Sequence, residues 1–323
     1  MKRRQLLFAA CALAAAPLVR AQAERVRRIG ILVPSAYGTG MLARFSKRLA
    51  GLGWIEGRNL AIDLRNAEGD LERLPALARE LARLKLDVIV AVTTPGTRAA
   101  KDAAGTIPVV FAWVGDPVTA KLVSSLARPG GTLTGLSTIT YEVFPKQIEL
   151  LNAFVPSLKR VAFLSYPKYA GVASSVRYGF KEVAARAGVA LIEVEAGSVA
   201  ELESAFAAAS RERTTAMVIP PLPLYADQSE RIAQLAKKYR LPSAAQIREY
   251  PAAGGLISYG SDLTDSFLRM APYVDKILRG AKPADLPVEQ ADRFELVINR
   301  RTAAELGLTI PQSVLLQATE VID

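Results

Sequence analysis

Short apolar runs alternate with stretches of helical periodicity along most of the chain. The run RIGILVP at 28–34 is apolar at nearly every position, the mark of a strand buried on both faces of a parallel sheet. Behind it, Met41, Leu42, Phe45, Leu49 and Leu52 recur at helical spacing and stop at Gly51 and Gly53. The same alternation predicts strands at 60–65, 87–91, 107–113 and 133–136. Helices are predicted at 71–84, 97–104 and 118–126, with Asp70 as N-cap of the first. Pro108 enters the fourth strand where a missing N–H does least harm, and Pro129-Gly130-Gly131 ends the helix predicted behind it.

After Ser137 the pattern restarts. Strands are predicted at 161–165, 190–195, 216–219, 242–245 and 255–259. Helices are predicted at 144–154, 173–187, 199–211, 226–239 and 268–278, the last closed by Gly280. A second strand–helix series needs its own sheet, and 323 residues exceed one typical core. The expectation is an α/β chain of two doubly wound parallel-sheet lobes joined by a multi-strand hinge. Lobe 1 spans 24–138 and is completed by about 260–290; lobe 2 spans 139–259. The tail 291–323, with a strand at 295–299 and a helix at 302–306, is assigned to neither. Segments 138–141 and 259–262 read as crossings, and Pro283 to Pro287 marks an extended link that reads as another.

The first 23 residues break the pattern. Lys2-Arg3-Arg4 precedes an apolar run, and Ala21 or Ala23 ends a small-residue cleavage site, so 1–23 reads as an export signal. The Arg3-Arg4 pair leans towards twin-arginine export, with the general secretory route as the alternative. Removing Lys2, Arg3, Arg4 and Arg20 from the 41 basic residues leaves 37 against 31 acidic ones, a net charge of +6. The basic residues are scattered without interleaved aromatics, which argues against a nucleic-acid partner. The one cysteine, Cys11, lies inside the signal, and the chain has no histidine. Disulfides, thiolate nucleophiles, Cys/His metal sites and histidine acid–base chemistry are therefore excluded from the mature protein, and no cofactor is expected. Gly38-Thr39-Gly40 superficially fits a dinucleotide fingerprint, but Gly38 lies too far beyond the first strand.

In open parallel sheets, ligands sit beyond the carboxyl ends of strands. Collecting those ends gives Ser35, Thr93, Thr94, Gly115, Asp116 and Ser137 from the first series. The second contributes Tyr166, beside Ser165, and Tyr225 and Gln246, with Tyr259 and Asp262 at a crossing. Hydroxyls, one amide, tyrosines and two carboxylates suit a small polar ligand with a ring or branched apolar part. Thr93 and Thr94, before a helix, suit a carboxylate; simple capping by Thr94 is the alternative. Asp116 also reads as a turn residue before Pro117, and Tyr225 as lobe packing.

VGDPV at 114–118, SLARPGG at 125–131 and TGLS at 134–137 resemble the ABC-transporter solute-binding family related to tryptophan- and tyrosine-uptake proteins. LGWIEGRNL at 52–60, GGLISYGSDL at 254–263, KILRGAKPADLPVEQ at 276–290 and FELVINRRTAAELGLTIP at 294–311 extend the resemblance over most of the chain. It implies a periplasmic binding protein of type I-like fold that closes on a small molecule and passes it to an inner-membrane ABC permease, working as a monomer without catalysis. It also implies that Thr93 and Thr94 meet a ligand carboxylate and Asp262 an ammonium. The chain departs from the family where an asparagine–serine pair is usual, reading SYPKYAGVASS, and where an Asp-Asn is usual, reading IPPLPLY. The readings set against transport are a secreted α/β enzyme using Asp116 and Asp262, and a periplasmic ligand sensor.

Overall fold

The computed structural model describes residues 25–138, 140–156, 158–167 and 180–323. The export-signal reading and the first seven residues, 173–179, of the helix predicted at 173–187 lie outside them. Among the described residues, thirteen strands, numbered along the chain, form two sheets. β1 (Arg27–Val33), β2 (Leu60–Asn66), β3 (Val88–Val92), β4 (Val109–Val114), β5 (Leu133–Ser137) and β11 (Glu289–Gln290) make the first, in the order β11-β5-β4-β3-β1-β2, all parallel. The second holds β6 (Arg160–Ser165), β7 (Ala190–Glu195), β8 (Ala216–Ile219), β9 (Ser243–Ala245), β10 (Ile257–Ser261), β12 (Phe294–Asn299) and β13 (Glu320–Ile322). Its order is β13-β12-β10-β9-β8-β6-β7, and only the β10–β12 pair is antiparallel.

Strand periodicity divides each lobe's core into two layers. Val88, Val90 and Val92 face helices Leu42–Gly51 and Leu263–Leu278, meeting Phe45, Leu49, Phe267 and Met270. Ile89 and Ala91 point the other way, onto Leu74, Ala78 and Leu81 of helix Leu74–Ala82 and onto Ala99 and Ala100 of helix Thr93–Ala104. A strand covered on both faces must be apolar throughout, which is why VIVAV has no polar member. Lobe 2 repeats the scheme: Val161 and Phe163 face Phe144, Leu151 and Phe180, while Ala162 and Leu164 face Phe206 and Ile232. Gly135 is required where β5 meets an irregularity in β4: its φ is +152°, and a Cβ there would lie 2.0 Å from the Phe111 carbonyl oxygen.

The chain passes between the lobes after β5, after β10 and after β11, so the third passage falls at 291–293, beyond the Pro283–Pro287 link. Pro283–Asp285 is instead a 3-10 turn on lobe 1. Hydrogen bonds tie the passages together: Ser261 Oγ donates to Thr138 O at 2.8 Å, Ala291 N to Ser137 O at 2.8 Å, and Asp262 N to Arg293 O at 3.1 Å. Arg269 pairs with Asp265, Glu289 and Asp292 alongside them.

Two helical expectations fail locally. Residues 118–126 form turns, not a helix. Asp116 draws the Val118 and Thr119 N–H groups to its side chain, Lys121 takes φ +55°, and Arg98 and Lys101 reach across to carbonyls of Ala120, Lys121 and Leu122. The apolar positions Leu122 and Val123 are buried all the same, so apolar spacing misread a packed loop as a helix. The helix predicted at 226–239 is two, Pro223–Asp227 and Ser229–Lys238, broken at Gln228. Among the described residues no helix is long and apolar enough to cross a membrane.

Candidate functional site

Reading β2-β1-β3-β4-β5 and β7-β6-β8-β9-β10 gives the same doubly wound order twice. In such a sheet the crevice opens where the order reverses, at the carboxyl ends of β1/β3 in one lobe and β6/β8 in the other. These two points face each other. The short helix Ala36–Thr39, which follows β1, packs against Pro223–Asp227, which follows β8. The site is therefore a cleft between lobes that touch at its mouth.

Ser35, Thr93 and Thr94 stand at the lobe 1 crevice, Ser35 and Thr94 buried. Helix Thr93–Ala104 begins at Thr93 itself, earlier than the spacing predicted. Thr93 carries φ +66°, a severe departure for a β-branched residue, and its Oγ1 accepts weakly from Gly96 N at 3.5 Å. Trp113, at the end of β4, has φ +60° and donates its indole N–H to Leu263 O at 2.9 Å. Two bulky residues held at positive φ beside one crevice mark it as a place where the fold tolerates strain. One turn into the same helix, Thr97 is fully buried and its Oγ1 has no partner. No strand end marks Thr97 in the sequence, although the pattern TTPGT spaces a third hydroxyl four residues on from Thr93 and three from Thr94.

Several candidates are engaged elsewhere. The Asp116 carboxylate accepts from Val118 N and Thr119 N, both at 3.0 Å, and Ser137 Oγ donates to Gly115 O at 3.1 Å, so these three close their own loop. Tyr225 is 1% exposed in the core of lobe 2 and donates its hydroxyl to Ala196 O at 2.9 Å. Burial there holds its phenol well above the ordinary value. Tyr259 does not lie at a crossing: β10 runs two residues beyond it to Ser261, and its ring stacks on Phe294 with centroids 6.0 Å apart. Tyr166 stands half-buried just past β6, beside the core of lobe 2.

Gln246 and Asp262 come together. They follow β9 and β10 and line one solvent-open recess with Arg248, Glu249, Ser258, Thr264 and Glu295. Asp262 caps helix Leu263–Leu278, accepting from Asp265 N at 2.8 Å. Gln246 is 9% exposed and its Nε2 has no partner. Burial raises the Glu295 carboxyl above its ordinary range; Arg248, 3.3 Å away, opposes this, while Asp262, Glu320 and Glu249 add to it. With Asp116 and Asp262 both bound to backbone N–H groups, neither stands as the free half of a catalytic pair. Among the described residues no group of three acidic, histidine or cysteine side chains could hold a metal ion. The arrangement presents hydrogen-bonding groups on both sides of a closable cleft, which is a means of binding.

Known proteins agree with this. A family model described as ABC transporter substrate binding protein matches residues 40–322. A conserved domain protein from Vibrio cholerae O1 biovar eltor superposes with a TM-score of 0.86 at 30% identity, over 92% of this chain and 100% of that one. An ABC domain from Streptococcus pneumonia, solved in complex with L-Trp, gives 0.83 at 28% identity, over 92% and 99%. The tyrosine-binding protein of Clostridioides difficile R20291 is 26% identical over 265 residues, 82% of this chain and 75% of its own length. The two lobes have the type I periplasmic-binding-protein architecture. With the model spanning most of the chain and both lobes, this protein belongs to the ABC transporter substrate-binding family and is a solute-binding component, not an enzyme.

Proposed function

We propose that the chain is exported, matures by loss of residues 1–23, and serves as the periplasmic receptor of an ABC importer for a small aromatic or branched carboxylate of amino-acid type. The observation that carries this reading is the opposition of the two crevices, with Ala36–Thr39 against Pro223–Asp227. A ligand lying between them is held by both lobes only when they close, so capture and closure are one event. Ser35, Thr93 and Thr94 take the ligand carboxylate beside the first turn of helix Thr93–Ala104, where the Thr93 and Thr94 N–H groups have no acceptor within the helix. Asp262 takes a donor group, and Tyr166 flanks the apolar body. The L-Trp and tyrosine ligands of the two named relatives have this composition. The complex meets its permease as a monomer.

A melting-point screen of L-tryptophan, L-tyrosine, other aromatic acids, sugars and inorganic anions tests the ligand class. At about one hundred times its dissociation constant, a true ligand stabilises the fold by roughly 2.7 kcal/mol. Response to neutral sugars or inorganic ions alone overturns the reading. Amino-terminal sequencing of the exported protein tests the first step: a mature chain beginning at Met1, or at a lipidated Cys11, overturns it.

A further inference from the structure

The recess beside Asp262 has properties that a simple ammonium site lacks. Its lining carries three carboxylates, Glu249, Asp262 and Glu295, against one guanidinium, Arg248. That guanidinium is already paired, with Glu295 at 3.3 Å and with Glu320. A carboxylate entering here would meet net negative charge and would bring no proton to Asp262. An ammonium would satisfy Asp262, but it has no lone pair for the unpartnered N–H of Gln246 Nε2. Gln246 is more than nine-tenths buried, and an amide N–H left unmade at that depth is costly. The two demands are met together only by a group that accepts one hydrogen bond and donates another. Space is tight: the cavity volume is about 10 Å³, room for about one water-sized group.

We propose that this recess receives an uncharged hydrogen-bonding group of the ligand, a hydroxyl or a carboxamide, which accepts from Gln246 Nε2 and donates to the Asp262 carboxylate. Gln246 is then the residue that distinguishes ligands bearing such a group from those ending in hydrogen or in a carboxylate. Helix Leu263–Leu278 opens at the same recess, so Asp262 is held in place by its own capping bond to Asp265 N. Gly260 keeps the wall close: a Cβ there would lie 2.1 Å from the Gln246 carbonyl oxygen. The inference rests on the small-molecule reading above and narrows the donor assigned to Asp262.

Calorimetric titration of the mature protein with three matched pairs tests it: L-tyrosine and L-phenylalanine, 4-hydroxyphenylacetate and phenylacetate, and L-glutamine and L-glutamate, with L-tryptophan alongside. Where a pair binds, the hydroxyl or carboxamide member is expected to bind about tenfold more tightly or better, the worth of one buried hydrogen bond. Gln246→Met keeps the length and removes the donor; the preference then falls below about threefold, while the weaker member binds as before. Equal affinities within every pair, a preference for the hydrogen or carboxylate member, or a preference that survives Gln246→Met overturns the inference. So does equal weakening of both members, which would make Gln246 a scaffold residue. Binding of L-tryptophan without any Gln246-dependent preference fails this inference alone; binding of none of the seven compounds fails both readings.

Discussion

Replacing Tyr225 by phenylalanine removes one oxygen and leaves the ring. In the structure that oxygen donates to Ala196 O at 2.9 Å, and Ala196 itself is fully buried with its N–H already bonded to Ser165 O. Losing a buried hydrogen bond costs about 0.5–1.5 kcal/mol net, and a carbonyl left unsatisfied raises the figure to about 1–3 kcal/mol. For units the size of one lobe this lowers the melting point by about 2–4 °C per kcal/mol. Since the ring sits among Ala162, Leu164, Phe206 and Ile232, no packing is lost. Urea denaturation followed by circular dichroism reads the stability, and calorimetric titration with the tightest compound of the screen reads the affinity. The expected result is a stability loss in the stated range with affinity unchanged within about threefold. Unchanged stability with an affinity loss beyond about tenfold would place Tyr225 on the ligand and refute the reasoning.

Other expectations follow from single contacts. Asp262→Ala removes the N-cap of helix Leu263–Leu278 and should cost about 1 kcal/mol along with ligand affinity, whereas Asp262→Asn keeps the capping acceptor and should lose affinity alone; matched unfolding and titration curves separate the two. Glu295 has its carboxyl raised from an ordinary value of 4.5 by burial, so ionisation is resisted in the folded state and stability falls as pH climbs through the raised value. Glu295→Gln should therefore melt higher than the parent above that value, the gain vanishing towards pH 4 and below, and a gain confined to acid would contradict the sign. Gly260→Ala should destabilise by about 2–3 kcal/mol because backbone must move, and wild-type stability in that variant would show the approach to Gln246 to be looser than described. Small-angle scattering with and without saturating ligand should show compaction, and an unchanged radius would count against lobe rotation.

Most of the fold was legible because its strands are covered on both faces and read as unbroken apolar runs. VIVAV at 88–92 and AMVI at 216–219 need no neighbour to be recognised. β11 was not legible: Glu289 and Gln290 are exposed and polar, and they pair with β5 only because the chain returns there after helix Leu263–Leu278. The loop at 118–126 was misread because buried Leu122 and Val123 mimic helical spacing, while the groups that hold it as a loop, Arg98 and Lys101, come from helix Thr93–Ala104, 22 and 20 residues from the carbonyls they reach. For the site, strand ends pointed to the right neighbourhood, since topology alone places them. They did not show which side chains were already engaged. Asp116 and Asp262 look alike in sequence, yet one closes its own loop while the other caps a helix at a recess, and that difference is set by contacts.

The placement of helix Leu263–Leu278 constrains the order in which the molecule can be completed. All five main strands of lobe 1 precede residue 138, yet one face of their sheet is covered by Phe267, Met270, Tyr273 and Val274. Until the ribosome has made helix Leu263–Leu278, which ends 33 residues after β9 ends at Ala245, only helix Leu42–Gly51 covers that face, and Phe45 and Trp113 lack the Phe267 ring they meet in the finished fold. Lobe 1 is thus begun first and sealed after most of lobe 2 has been synthesised. During that interval the nascent chain carries an incompletely covered apolar sheet face, and a truncation before residue 263 should yield an aggregating fragment, not a free-standing first lobe.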